Sequence, residues 1–377
     1  MPPKNFKNIV LFEGLNGLRF FAAFLVVMHH AETIRAKNGL PNFNQFAIFK
    51  NGSTAVTFFF VLSGFLITYL LLKENFTTHS IKVKNFYIKR ILRIWPLYYL
   101  LVLIGLFLIP FAFLKLGINY TMPYNFKQVW LYFIFFLPGM VTFLFGHHLL
   151  EPLWSIGVEE VFYLIWAPLS KLCKNKMRWL LVTVLGLKII LIAYSYWFLN
   201  PGSMASYLIG TFQFEAMAIG GLGAYFVFNH TKPFANLTIY TIYFQLIIYS
   251  LLLAYLFLHD TSSNKLGILL FQTPVLSGLF VDFLFLYLII GVSLNEKNIF
   301  KIKSKLLSFL GEISYGIYMY HMLLIFGMVL VLKPVFIKLP LFSGSLLFYT
   351  VIIILVTGIA AVSKKYFENY FLKMRSW

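Results

Sequence analysis

Residues 54–73 read TAVTFFFVLSGFLITYLLLK, with no charged side chain before Lys73. About 20 apolar residues in a helix cross the hydrocarbon core of a bilayer. Only a helix satisfies every backbone N–H and C=O of a single segment in lipid. The stretch therefore reads as a membrane helix. Working outward, ten further apolar stretches follow the same reading: 15–33, 91–114, 128–145, 154–172, 178–199, 207–228, 238–258, 268–293, 308–331 and 344–363. The whole chain agrees: of its 377 residues 60% are hydrophobic and 11% charged, with mean hydropathy +0.82. A soluble domain of that size could not keep so much apolar surface from water. The sequence predicts an all-α, polytopic integral membrane protein forming one membrane domain over residues 1–377, with no appended soluble domain.

The formal net charge of +19 orients the chain in the bilayer. Its cations cluster in four loops: Lys73, Lys82, Lys84, Lys89, Arg90 and Arg93; Lys171, Lys174, Lys176 and Arg178; Lys297, Lys301, Lys303 and Lys305; Lys364, Lys365, Lys373 and Arg375. Cytoplasmic loops carry the excess of Lys and Arg. If all eleven stretches crossed, the second and third clusters would lie opposite the first. One stretch between Arg93 and Lys171 must fail to cross, and 128–145, with its Pro138-Gly139 breaker, is the candidate. About ten transmembrane helices, both termini cytoplasmic, and one re-entrant or surface segment at 128–145 are expected. Nucleic-acid binding would need a basic surface outside the bilayer, which no segment is long enough to fold. The single Cys173 excludes an internal disulfide. The first apolar run holds Arg19 and His30 and no small-residue cleavage site, so it reads as a retained span.

Ionisable residues inside spans are costly and mark function. Arg19 and His30 are eleven residues apart, almost three helical turns, so they share a face about 16 Å apart along the axis, whereas His29 points about 100° away. Ser63-Gly64 permits close helix approach. Lys89, Arg90 and Arg93 form one cationic cluster entering the third stretch, and arginine forks suit phosphate oxygens. Ser155, Glu159 and Tyr163 share a face, as do Ser314, Tyr318 and His321. For Glu215 and Asp282 the expectation is a helix-packing hydrogen bond, with the ionised and the protonated form both open. No His, Cys or Asp cluster has ligand spacing, so no metal is expected.

Taken together these pieces resemble the acyltransferase 3 family of bacterial membrane acyltransferases. The likeness rests on Gly17-Leu18-Arg19 with His30, on Phe59-Phe60-Val61-Leu62-Ser63-Gly64-Phe65, and on Arg90 with Arg93. It continues in Trp154-Ser155 with Glu159-Glu160-Val161-Phe162-Tyr163, and in Ser314-Tyr315-Gly316-Ile317-Tyr318 with His321. Gln213 stands where the family usually carries Arg. The resemblance implies an O-acyltransferase of the cytoplasmic (inner) cell membrane. It implies cytoplasmic acyl-CoA as co-substrate, acetyl-CoA by family prevalence, and a hydroxyl of a carbohydrate or glycoconjugate as acceptor. Separate envelope-biosynthesis proteins are the expected partners besides lipid. In that scheme His30 is the base, Glu159 or Glu160 orients it, Arg19 stands on its stripe, and Lys89, Arg90 and Arg93 meet the donor. Ser63, Trp154, Ser155, Tyr163, Ser314, Tyr315, Tyr318 and His321 support them. A proton-coupled transporter or flippase is the alternative, because carriers also use intramembrane Arg, His and Glu.

Overall fold

The computed structural model describes residues 6–117, 122–230, 232, 234–259, 265–302 and 304–374. Lys303 and Arg375 lie outside the described residues. The described chain is helical, with α1 (Leu15–Lys37), α2 (Gly52–Thr78), α3 (Val83–Leu103), α4 (Ile109–Lys115), α5 (Phe126–Ile134) and α6 (Pro138–Phe145). Then come α7 (Trp154–Leu172), α8 (Met177–Phe198), α9 (Met204–Thr211), α10 (Phe214–Asn229), α11 (Ile242–Leu258) and α12 (Lys265–Phe271). The last are α13 (Pro274–Leu294), α14 (Lys305–Glu312), α15 (Ser314–Phe336), α16 (Leu341–Val362) and α17 (Asn369–Lys373). α3 runs into α4, and α16 into α17, through π-helical turns at Ile104–Leu108 and Ser363–Glu368.

Six helical stretches among the described residues are long and apolar enough to cross a membrane: Gly52–Thr78, Val83–Lys115, Met177–Phe198, Pro274–Leu294, Ser314–Phe336 and Leu341–Lys373. The chain is thus a multi-pass membrane protein. α1 and α7 are also long. Arg19, His29, His30 and Glu32 in one, and Glu159, Glu160 and Lys171 in the other, are what make them less apolar. α10 and α11 have 16 and 17 residues. On α8 the side chains of Ile190, Trp197 and Phe198 are 65%, 74% and 75% exposed, which only a lipid surround accommodates over such a helix.

The chain forms two compact units. One comprises Met1–Leu25, Gln45–Val83 and Ile165–Glu312. The other comprises Val26–Asn44, Lys84–Leu164 and Ile313–Trp377.

In the first unit α2 and α10 pack backbone to backbone. A Cβ on Gly64 would stand 2.0 Å from the Met217 carbonyl oxygen, and one on Gly220 2.0 Å from that of Val61. The reading of Ser63-Gly64 as a packing seam is met here. Backbone cannot yield as a flexible side chain would, so Gly64→Ala is expected to cost about 1–3 kcal/mol, the usual range for overpacking. Thermal unfolding of the purified protein in detergent measures this, and an unchanged midpoint would mean the two helices can part without loss.

In the second unit the stretch expected not to span is two helices of nine and eight residues, α5 and α6, each too short to cross. The break has a definite chemistry. Phe136 takes φ +57°, a conformation that bulky side chains rarely adopt, and Pro138 follows. Stacking of Phe136 on Tyr98, centroids 4.3 Å apart, holds it there. Tyr98 and Tyr99 of α3 donate to the carbonyls of Phe133 and Ile134 at 2.9 Å each, so the open end of α5 is satisfied by side chains in place of water.

Candidate active site

The second unit brings together most of the polar residues singled out above. His30 Nδ1 lies 3.1 Å from the Val26 carbonyl oxygen and 3.1 Å from His321 Nε2. His321 Nδ1 contacts the carbonyl oxygen of Tyr318. A carbonyl only accepts, so with both rings neutral each Nδ1 carries the proton. His321 Nε2 then accepts from His30 Nδ1–H, a bond shared with Val26. His30 Nε2 keeps its lone pair, and no hydrogen bond among the described residues ends on it. The ring is half-buried while His321 is fully buried. Such an imidazole is fixed in orientation on one side and free to take a proton on the other.

Among the described residues the hydrogen bonds of His30 go to Val26 and His321, and none joins it to Glu159 or Glu160. Glu159 accepts from the Tyr163 hydroxyl at 2.9 Å, which the four-residue spacing foresaw. Glu160 accepts from Trp95 Nε1 at 3.0 Å, and its Oε1 is buried without a hydrogen-bond partner. The Tyr318 hydroxyl donates to the Pro152 carbonyl at 2.8 Å, which leaves the Ser155 hydroxyl, 2.7 Å away, to donate to Tyr318. Tyr315 donates to the Ile94 carbonyl at 3.0 Å, within the electrostatic field of Glu368, Glu160, Glu159 and Arg93. Arg90 lies over the rings of Phe86 and Tyr163, 5.5 and 5.6 Å from the centroids. Lys89 is exposed, Arg93 half-buried, Trp154 half-buried and Ser314 buried at the start of α15.

Two residues fall in the first unit. Ser63 is buried beside the α2–α10 seam. Arg19 stands on α1. A cleft of about 740 Å³ also lies in this unit, lined by Phe6, Glu13, Asn295, Glu296, Lys301 and their neighbours. Two carboxylates against one amine make this cleft a poor fit for phosphates.

Several polar residues escaped the sequence reading. Glu32 and Arg35, both buried, pair at 2.6 Å, with the Tyr349 hydroxyl on Glu32 and Arg35 on Ser345, each at 2.6 Å. The three-residue spacing was a usable signal. Glu215 of α10 faces Lys188 of α8 at 3.4 Å, a contact between packed helices, while Asp282 keeps Oδ1 without a hydrogen-bond partner. Glu368 was hidden in a tail read only for its cations.

The turn between α6 and α7 holds a titrating group outside the helices. His148 is buried, and burial, then the charge of His147, pushes its pKa from 6.5 down to about 4. Leu150 N–H donates to its Nδ1 at 3.2 Å, so the neutral ring is the one that fits. The folded value lies below the unfolded one, so protonation favours unfolding. The stabilisation is complete above pH 6.5 and disappears as pH falls towards 4, worth on the order of 3 kcal/mol. Thermal stability is expected to drop across that window, and His148→Gln should flatten the drop. A curve identical to wild type would remove His148 as its source.

The chain belongs to the acyltransferase 3 family, whose acyltransferase domain matches residues 12–363 and so runs through both units. It is 28% identical over 325 residues to the peptidoglycan O-acetyltransferase OatA of Listeria monocytogenes, covering 82% of this chain and 48% of that one. The inferred peptidoglycan O-acetyltransferase YrhL of Bacillus subtilis is 31% identical over 158 residues, 41% of this chain and 23% of its own. The inferred acetyltransferase ORF330 of Acidianus two-tailed virus is 28% identical over 314 residues, 81% of each. The chain thus spans about half or less of the first two relatives. No solved structure matches it.

Proposed function

We propose that the protein is a membrane O-acyltransferase that moves an acetyl group from cytoplasmic acetyl-CoA to a hydroxyl of an envelope carbohydrate or glycoconjugate. One observation carries this: His30, tied through Nδ1 to Val26 and His321, presents Nε2 with a lone pair. In the proposed reaction that lone pair takes the acceptor hydroxyl's proton as its oxygen attacks the thioester carbonyl. The C–S bond breaks, and the proton passes to the departing thiolate, giving ester and free thiol. An acyl-imidazole route would use the same nitrogen as nucleophile. Lys89, Arg90 and Arg93 meet the phosphates of the donor. About ten spans, cytoplasmic termini, the cytoplasmic membrane as location, a single acyltransferase domain and separate envelope-biosynthesis partners belong to the same reading.

Peptidoglycan, the substrate in the name of OatA, is the first acceptor to try. The test is thioester consumption by the purified, reconstituted protein supplied with acetyl-CoA and glycan fragments, with mass spectrometry of the product. Acetylated glycan supports the reading. The buried Lys188, Glu215 and Asp282 are also what a proton-coupled carrier would use, so solute transport without thioester consumption would favour that second reading.

A further inference from the structure

Glu368 lies beyond the family-matched segment, which ends at residue 363. It is 6% exposed, and its Oε1 is buried with no hydrogen-bond partner. Oε2 lies 3.4 Å from Lys364 Nζ, one turn earlier, and Ser363 is its second polar neighbour among the described residues. An incompletely satisfied buried carboxylate is costly and calls for an explanation.

Its surroundings supply one. Glu368 closes the π-helical turn Ser363–Glu368, a local widening that is rare and recurs at functional sites. The Tyr315 hydroxyl of α15 donates at 3.0 Å to the carbonyl of Ile94, the neighbour of Arg93 on α3, and Tyr320 of the same helix donates at 3.1 Å to Ser363 of the π-helical turn. Glu368 and Arg93 attract one another electrostatically, and no ion pair joins them among the described residues. Three elements of the second unit converge there: α3 with Arg93, α15 with Tyr315 and the π-helical turn with Glu368.

We infer that Glu368 is a positioning residue of the donor site, holding Arg93 and Tyr315 in place for the phosphate-bearing end of acyl-CoA. This rests on the acyl-CoA reading above. Glu368→Gln keeps the shape and removes the charge. It is expected to raise KM for acetyl-CoA about tenfold, a coupling within the range for neighbouring charged residues, with kcat changed less than about twofold. Glu368→Asp should recover most of the donor affinity.

A double-mutant cycle with Arg93→Gln decides whether Glu368 acts through Arg93. The double variant is expected to match Arg93→Gln alone. Multiplying effects would overturn the inference, as would an unchanged KM with lowered kcat or melting temperature, the signature of a purely structural carboxylate. If Glu368→Gln does not fold, the same cycle is run with Glu368→Ala, which also removes the charge. Wild-type protein that neither consumes acetyl-CoA nor is stabilised by CoA would instead overturn the donor reading itself, and that outcome is separately visible.

Discussion

Replacing His30 by alanine is expected to lower acyl transfer by about 10²–10⁴-fold, the contribution of a positioned general base, while the protein stays folded and inserted. The ring is half-buried, so little packing is lost. What is lost is the one nitrogen of the pair with a free lone pair. The stability effect should be small but present, because His321 Nε2 loses the donor it accepts from. An orphaned buried acceptor costs about 1–3 kcal/mol. His321→Ala should be milder than His30→Ala, since it removes the ring that orients the base and leaves the base itself. His29→Ala should be the mildest. Its ring stands edge-on to His30, 5.1 Å between centroids, and sits on another face of α1. Full transfer activity in the His30→Ala protein would remove this imidazole from the chemistry.

The spans were legible because lipid imposes one rule on every backbone group, and an uncharged run of twenty residues announces compliance. The non-spanning segment was legible for a local reason, the Pro138-Gly139 pair next to the break at Phe136. The split of 207–228 into α9 and α10 was not. No proline or glycine marks Phe212-Gln213, and the bond that meets Gln213 comes from Thr57 of α2, at 2.7 Å. The same limit applies to the site. Glu159 with Tyr163 lies on one helix, so spacing revealed the contact. His30 with His321 joins helices far apart in the chain, and no periodicity carries that information. Sequence therefore identified both histidines separately and did not pair them. Lys188 and Glu215 were obscured for the same reason.

Changing Arg90 and Arg93 together to glutamine is expected to raise KM for acetyl-CoA about 100-fold and to lower kcat much less. A hydrogen bond to a charged group contributes about 1.5–3 kcal/mol, so even partial loss of two accounts for that factor. The rival account is that the arginines are inner-face anchors whose long side chains reach for the headgroups. Arg90 lies over the rings of Phe86 and Tyr163, so its guanidinium is engaged with protein of the second unit, and Arg93 interacts electrostatically with Glu368. An anchor would be insensitive to that geometry. Changing Lys303 and Lys305 to glutamine removes the same charge from another basic cluster and serves as the control. The donor reading requires a large KM effect at the arginines, a negligible one at the lysines, and a wild-type KM that rises with salt as phosphate contacts are screened. Equal effects at both pairs would reduce Arg90 and Arg93 to orientation signals, and the donor would then have to meet the protein elsewhere.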